Sequence, residues 1–144
     1  MSLTGNLQDE AELFFASVRL QSVATGLNKI IDGQQIEGRE QENFEWAGNL
    51  VGQMDWNSKH YHQREHPELC VMATRLRPRF YDALLRLRIP FDAKFSEGLY
   101  DTLKSYGRKV QLGIEKLRQA HQVVQSMATD TLTELQYAHG IGQI

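Results

Sequence analysis

Three histidines, His60, His62 and His66, crowd one short stretch, and the single cysteine, Cys70, follows four residues later. Imidazole and thiolate are the usual ligands of zinc and related metals. His62 and His66 stand four apart, which on a helix puts both rings on one face. Cys70 continues the spacing, but positions eight apart on a straight helix lie about 12 Å apart along the axis, too far to share an ion. Convergence would need a bend at Pro67. His121 is the one other histidine inside a long apolar-periodic stretch. Di-iron sites of helical bundles place a glutamate three residues before a histidine. The residues in that position here are Asn57, Lys59, Gln63, Arg118 and Gln136, none a carboxylate. No metal and no cofactor is therefore expected. Should a metal be found, the candidates are His60, His62, His66, Cys70 and His121.

Cys70 and His66 also suggest a nucleophile and its base. Such a pair needs an exposed thiolate and a third group that orients the base. Cys70 adjoins Val71 and Met72, and no glycine-rich elbow or oxyanion loop accompanies it. The chain has no phosphate-binding glycine loop, no dinucleotide fingerprint, no Gly-x-Ser-x-Gly and no His-Glu-x-x-His. No catalytic residue is assigned, and the expectation is a protein that is not an enzyme.

Arginine forms the densest charged feature: Arg75, Arg77, Arg79, Arg86 and Arg88, with Asp82 among them. Guanidinium binds phosphate and carboxylate in a bidentate manner, so this edge fits a polyanion, nucleic acid included, or an acidic protein. The plainer expectation is a core helix with arginine edges, some paired with the acidic first two helices. Residues 1–45 hold eight acids and three bases, and residues 46–144 hold ten acids and thirteen bases. The total is −2, which does not favour nucleic acid, since such domains are strongly basic.

The elements that must position these residues read as helices almost throughout. Leu7, Ala11, Phe14 and Val18 recur at three- and four-residue steps and predict a helix over 6–32, capped by Asn6. Phe44, Ala47, Leu50, Val51 and Met54 predict a second over 39–62, where Gly48 and Gly52 permit close approach of a neighbour. Leu69, Met72, Ala73, Leu76, Phe80, Ala83, Leu84 and Leu87 predict a third over 67–89, kinked at Pro78. Phe95, Leu99, Leu103, Val110, Ile114, Leu117, Val124, Leu132 and Leu135 predict a fourth over 93–138, with Ser105-Tyr106-Gly107 its likeliest break. Phe14-Phe15 and Phe80-Tyr81 are adjacent aromatic pairs, so one member of each must leave the main face and becomes a candidate contact for another helix or subunit.

The 144 residues are 41% hydrophobic and 24% charged, which suits a single globular domain, 1–144. No apolar run approaches a membrane span, and no secretory leader is visible. One cysteine fits a reducing compartment, so a cytoplasmic, non-membrane protein is expected. The fold class is all-α, an antiparallel bundle of four to five helices with a long C-terminal helix. If unbroken, that last helix outruns its neighbours, and its Val110, Ile114, Leu117, Val124, Leu132, Leu135 stripe would need another chain to cover it. The expected function is a scaffold, adaptor or chaperone-like assembly protein. It would associate with its own copies or another protein through that stripe and the arginine edge. A polyanion-binding module and a histidine-rich metal-binding bundle are the alternatives.

Overall fold

A computed structural model describes residues 3–54, 67–90, 93–105 and 114–138. Among them are five helices and no strand: α1 (Leu3–Ile31), α2 (Gly38–Met54), α3 (Pro67–Arg86), α4 (Ala93–Ser105) and α5 (Ile114–Ala138). The fold is an all-helical bundle with a long C-terminal helix of 25 residues.

Where periodicity places a helix, a helix stands; its ends are set by chemistry that periodicity does not carry. Asn6 is not the cap of α1, because Leu3, Thr4 and Gly5 are already helical. At the other end Gly33 takes φ 77°. Its N–H bonds the Ile30 carbonyl at 3.0 Å, and the next N–H, of Gln34, bonds the Lys29 carbonyl at 2.7 Å. This is the left-handed closure that glycine permits without steric cost. α2 is described to Met54, and the expected remainder to residue 62 lies outside the described residues.

α3 runs on through Pro78, whose ring is exposed while Leu76 and Phe80 on either side are buried. It stops at Arg86, short of the expected residue 89. Arg88 adopts φ 57°, with its N–H on the Leu85 carbonyl at 3.1 Å and the Ile89 N–H on the Leu84 carbonyl at 2.9 Å. The hydrogen-bond pattern is the one that closes α1, with an arginine in the place of the glycine.

The expectation of one helix over 93–138 is overturned. α4 is described to Ser105 and α5 from Ile114, and Tyr106-Gly107 of the anticipated break lie outside the described residues. Phe95, Leu99 and Thr102 of α4 line one small cavity together with Lys116, Gln119 and Ala120 of α5. In a straight helix Phe95 and Ala120 would be about 37 Å apart. The chain has therefore returned on itself. Two short apolar faces find cover inside the chain that one long face would have lacked.

Packing follows from these lengths. α5 lies mainly on α1, and α4 mainly on α2. α1 and α2 run antiparallel: Lys29 meets Glu40, while Arg19 and Ser22 meet Asn43. α3 and α5 also run antiparallel, with Arg79 on Glu134 and Arg86 on Asp130. The core joins Leu20, Val23 and Leu27 of α1, Phe44 and Leu50 of α2, Leu76, Phe80 and Leu84 of α3, Leu103 of α4, and Val123 and Met127 of α5. Two buried hydroxyls are satisfied within their own helices, Thr131 donating to the Met127 carbonyl at 2.8 Å and Thr102 to the Gly98 carbonyl at 2.7 Å.

Two glycines set helix spacing. A Cβ on Gly48 would lie 2.6 Å from Lys104 Cγ, so α4 rests on α2 where the sequence expects a close approach. A Cβ on Gly26 would lie 2.8 Å from the Phe44 ring. Gly26 is where α2 lays the buried Phe44 ring against α1.

Candidate functional site

The arginine edge of α3 is mostly occupied by the chain's own acids. Arg75 Nη1 lies 2.6 Å from Glu12 Oε2 of α1. Arg79 pairs with Glu134 of α5, and Arg86 pairs with Asp130. Arg86 also donates to Ser126 Oγ at 2.8 Å. Arg77 donates through Nε to the Tyr81 hydroxyl at 2.7 Å, with its guanidinium 5.3 Å from that ring's centre. Arg88 ends the helix in the left-handed conformation. Three of the five candidates therefore tie α3 to α1 and α5. Two of the acids come from α5, although the acidic N-terminal segment is where sequence places the partners. The five are not gathered into one anion-binding surface.

The C-terminal stripe is likewise claimed from within. Leu117, Val124 and Leu135 are buried in the protomer, at 5% exposure or less, and Leu132 is half-buried. Val110 lies outside the described residues, as does the side-chain environment of Ile114. The inference of a second chain from an uncovered α5 stripe is thus corrected: α1 covers it. His60, His62 and His66 lie outside the described residues, as does the side chain of Cys70. His121 is half-buried on α5, and among the described residues no three His, Cys, Asp or Glu side chains group as a metal site.

An uncovered apolar surface does exist, on the opposite side of α1. Phe14 is 52% exposed, Phe15 65% and Val18 49%, and Ala11 is exposed beside them. The two rings meet edge to face, 6.1 Å between centres. Ala16, Leu20, Val23, Ala24 and Leu27 meanwhile point into the core. Between Ala11 and Leu20, α1 therefore carries apolar side chains on two faces, Leu13, Ala16 and Leu20 toward the core and Phe14, Phe15 and Val18 away from it. The stripe that the spacing assigns to α1, Ala11, Phe14 and Val18, is thus corrected: it faces outward, and the adjacent Phe14-Phe15 pair signals only that one ring must leave the main face. The pair is more exposed than expected, since both rings leave the core. Of the second pair, Phe80 is buried and Tyr81 half-buried.

A polar seam fixes how α1 presents that face. Arg19 donates to Asn43 Oδ1 at 2.9 Å, and Asn43 donates to Ser22 Oγ at 2.9 Å. The Arg19 guanidinium sits 4.7 Å over the Trp46 ring. Burial lowers the Arg19 pKa from its ordinary value, against the opposing pull of Glu42, and arginine remains a cation at neutral pH. One turn from the loop, Lys29 Nζ lies 2.6 Å from Glu40 Oε1. That hydrogen bond, with the charges of Glu40 and Glu37, raises the Lys29 pKa despite some desolvation.

The grooves offer less. One between α3 and α5, of about 610 Å³, is lined by the Arg79–Glu134 and Arg86–Asp130 pairs and by the exposed Leu85. The cavity between α4 and α5 is about 150 Å³. Among the described residues no helix is long and apolar enough to cross a membrane. No family model, no curated protein and no solved structure matches this chain.

Proposed function

We propose that this chain is a non-enzymatic helical interaction protein of the cytoplasm, a scaffold, adaptor or assembly subunit, acting by packing the outward face of α1 against a partner helix. One observation carries the reading: Phe14, Phe15 and Val18 stay about half or more exposed in a bundle whose core is already closed. Contiguous exposed aromatic surface is what association sites are made of, since burying it on a partner releases the hydration it imposes. The opposite face of α1 is held by α5 and α2, so the outward face is presented on a fixed support. The arginines support this reading over a polyanion site, because Arg75, Arg79 and Arg86 already hold carboxylates.

The test is a photoreactive phenylalanine placed at Phe15, with a second chain carrying it at the exposed Gln125 of α5. In extract of cells that make the protein, the label at residue 15 is expected to yield a discrete cross-linked species and the label at 125 none. Equal labelling from both positions, or none from residue 15, would refute the assignment.

A further inference from the structure

We infer that the corner where α3, α4 and α5 meet binds a small aromatic anion, its ring in the cavity between α4 and α5 and its charge in the groove beside it. Binding there is independent of what the α1 face meets. Arg88 closes α3 in left-handed backbone, where glycine is the residue that stands without steric cost. An arginine in that place is strained, and the fold makes no use of its charge. Arg75, Arg79 and Arg86 each hold a carboxylate, and Arg77 holds the Tyr81 hydroxyl. Among the described residues no acid or hydroxyl engages the exposed Arg88 guanidinium. Backbone strain at a residue whose side chain has no structural partner points to a role in binding.

Arg88 lines a groove of about 500 Å³ that Lys94 and Phe95 of α4 and Gln119 of α5 complete. The cavity of about 150 Å³ adjoins it, because Lys94, Phe95 and Gln119 are walls of both. Small residues leave the cavity open: a Cβ on Gly98 would meet nothing within 4 Å, and α5 contributes Ala120. Phe95 and Leu99 supply its larger apolar walls. An apolar cavity of about 150 Å³ is enough for one benzene ring. The two spaces together carry three cations, Arg88, Lys94 and Lys116, against one carboxylate, Glu115. Among the described residues no ion pair engages Lys94 or Lys116. A neutral ring would leave that excess of positive charge unmet. A ring bearing a carboxylate or a phosphate meets it, and guanidinium takes either in a bidentate manner.

The experiment uses the purified full chain with two probes, phenyl phosphate and phenylacetate, in isothermal titration calorimetry and amide NMR at low salt. At least one is expected to bind with a dissociation constant of about 1 mM or tighter, the range open to a ligand of about ten heavy atoms. The amide signals of Gly98 and Ala120 are expected to move, and added salt to weaken binding. Arg88→Gly is expected to lower the affinity by at least about fivefold while the unfolding midpoint holds or rises. A merely structural Arg88 would leave binding intact. Lys94→Ala, at an exposed side chain, is expected to weaken binding in the same direction, and Gly98→Leu, which fills the cavity, to abolish it. Benzyl alcohol and inorganic phosphate, each lacking one half of the ligand, are expected to bind at least about tenfold more weakly. No binding of either probe up to about 10 mM overturns the inference. So does binding that Arg88→Gly and Lys94→Ala leave unchanged, and so does equal binding of benzyl alcohol or of inorganic phosphate.

Discussion

Replacing Gly26 with alanine sets two effects of opposite sign against each other. In a helix interior, alanine is favoured over glycine by about 0.8–1.0 kcal/mol, so helix propensity alone predicts stabilisation. The added methyl would stand 2.8 and 3.0 Å from two Phe44 ring carbons and 3.1 Å from Glu40 Oε2. Phe44 is 1% exposed and has no free space to enter, and Glu40 is itself buried. Overpacking of this kind costs about 1–3 kcal/mol. The balance is a net loss of about 1 kcal/mol, or a midpoint lower by about 3–4 °C for a domain of this size. Gly98 is the control: it lies within α4, and a Cβ there would meet nothing within 4 Å. Gly98→Ala should therefore show the propensity effect alone, raising the midpoint by about 2–4 °C. Thermal unfolding followed by circular dichroism of the two variants beside the parent reads both. Stabilisation by Gly26→Ala equal to that by Gly98→Ala would mean that Phe44 does not rest on α1, and the packing of α2 on α1 described above would be wrong.

The other outcomes follow from particular contacts. Arg88→Gly should stabilise the chain by about 0.5–1 kcal/mol in denaturant unfolding, because a non-glycine residue in the left-handed region is disfavoured. A loss on that substitution would show that the Arg88 side chain contributes more than its backbone strain costs. The raised Lys29 pKa makes the Lys29–Glu40 pair stabilising below the ordinary lysine value of 10.5 and progressively lost as pH climbs through the folded value. Alkaline unfolding of the parent should steepen above that point, and Glu40→Gln should blunt the effect; identical alkaline profiles would exclude the pair as its source. A double-mutant cycle on Arg86 and Asp130 should give a coupling of about 1 kcal/mol or less that shrinks with added salt, as both side chains retain solvent contact.

Much of the fold is legible in the sequence because burial in a helical bundle follows the 3.6-residue repeat. Phe44, Leu76 and Phe80 occupy the core that their spacing assigns, whereas on α1 the assigned stripe of Ala11, Phe14 and Val18 is exposed and Ala16, Leu20 and Val23 are buried instead. What the repeat cannot carry is chain reversal. The periodic residues from Phe95 to Leu135 continue in phase across the break, so two helices that fold back look like one rod. Phase records which side of each helix is wet and says nothing of which helix covers it. The true ends depend on single positions in left-handed backbone, Gly33 and Arg88, and only the glycine is a recognisable signal. The arginine edge shows the same limit: composition reveals five cations, while their partners Glu12, Asp130 and Glu134 become neighbours only once α1 and α5 are packed. On α1 the repeat selects the wrong face, because Ala11, Phe14 and Val18 keep the three- and four-residue step while the smaller Ala16 and Ser17 and the later Leu20 and Val23 take the buried side.

The account turns on the outward face of α1 being open in the lone protomer and covered when the protein is at work. Hydroxyl-radical footprinting reads this directly, with the buried Phe80 as internal reference. Phe14 and Phe15 should oxidise readily in dilute purified protein and be protected inside the producing cells, while Phe80 is protected in both settings. Equal oxidation of Phe14 and Phe15 in both settings would contradict the account.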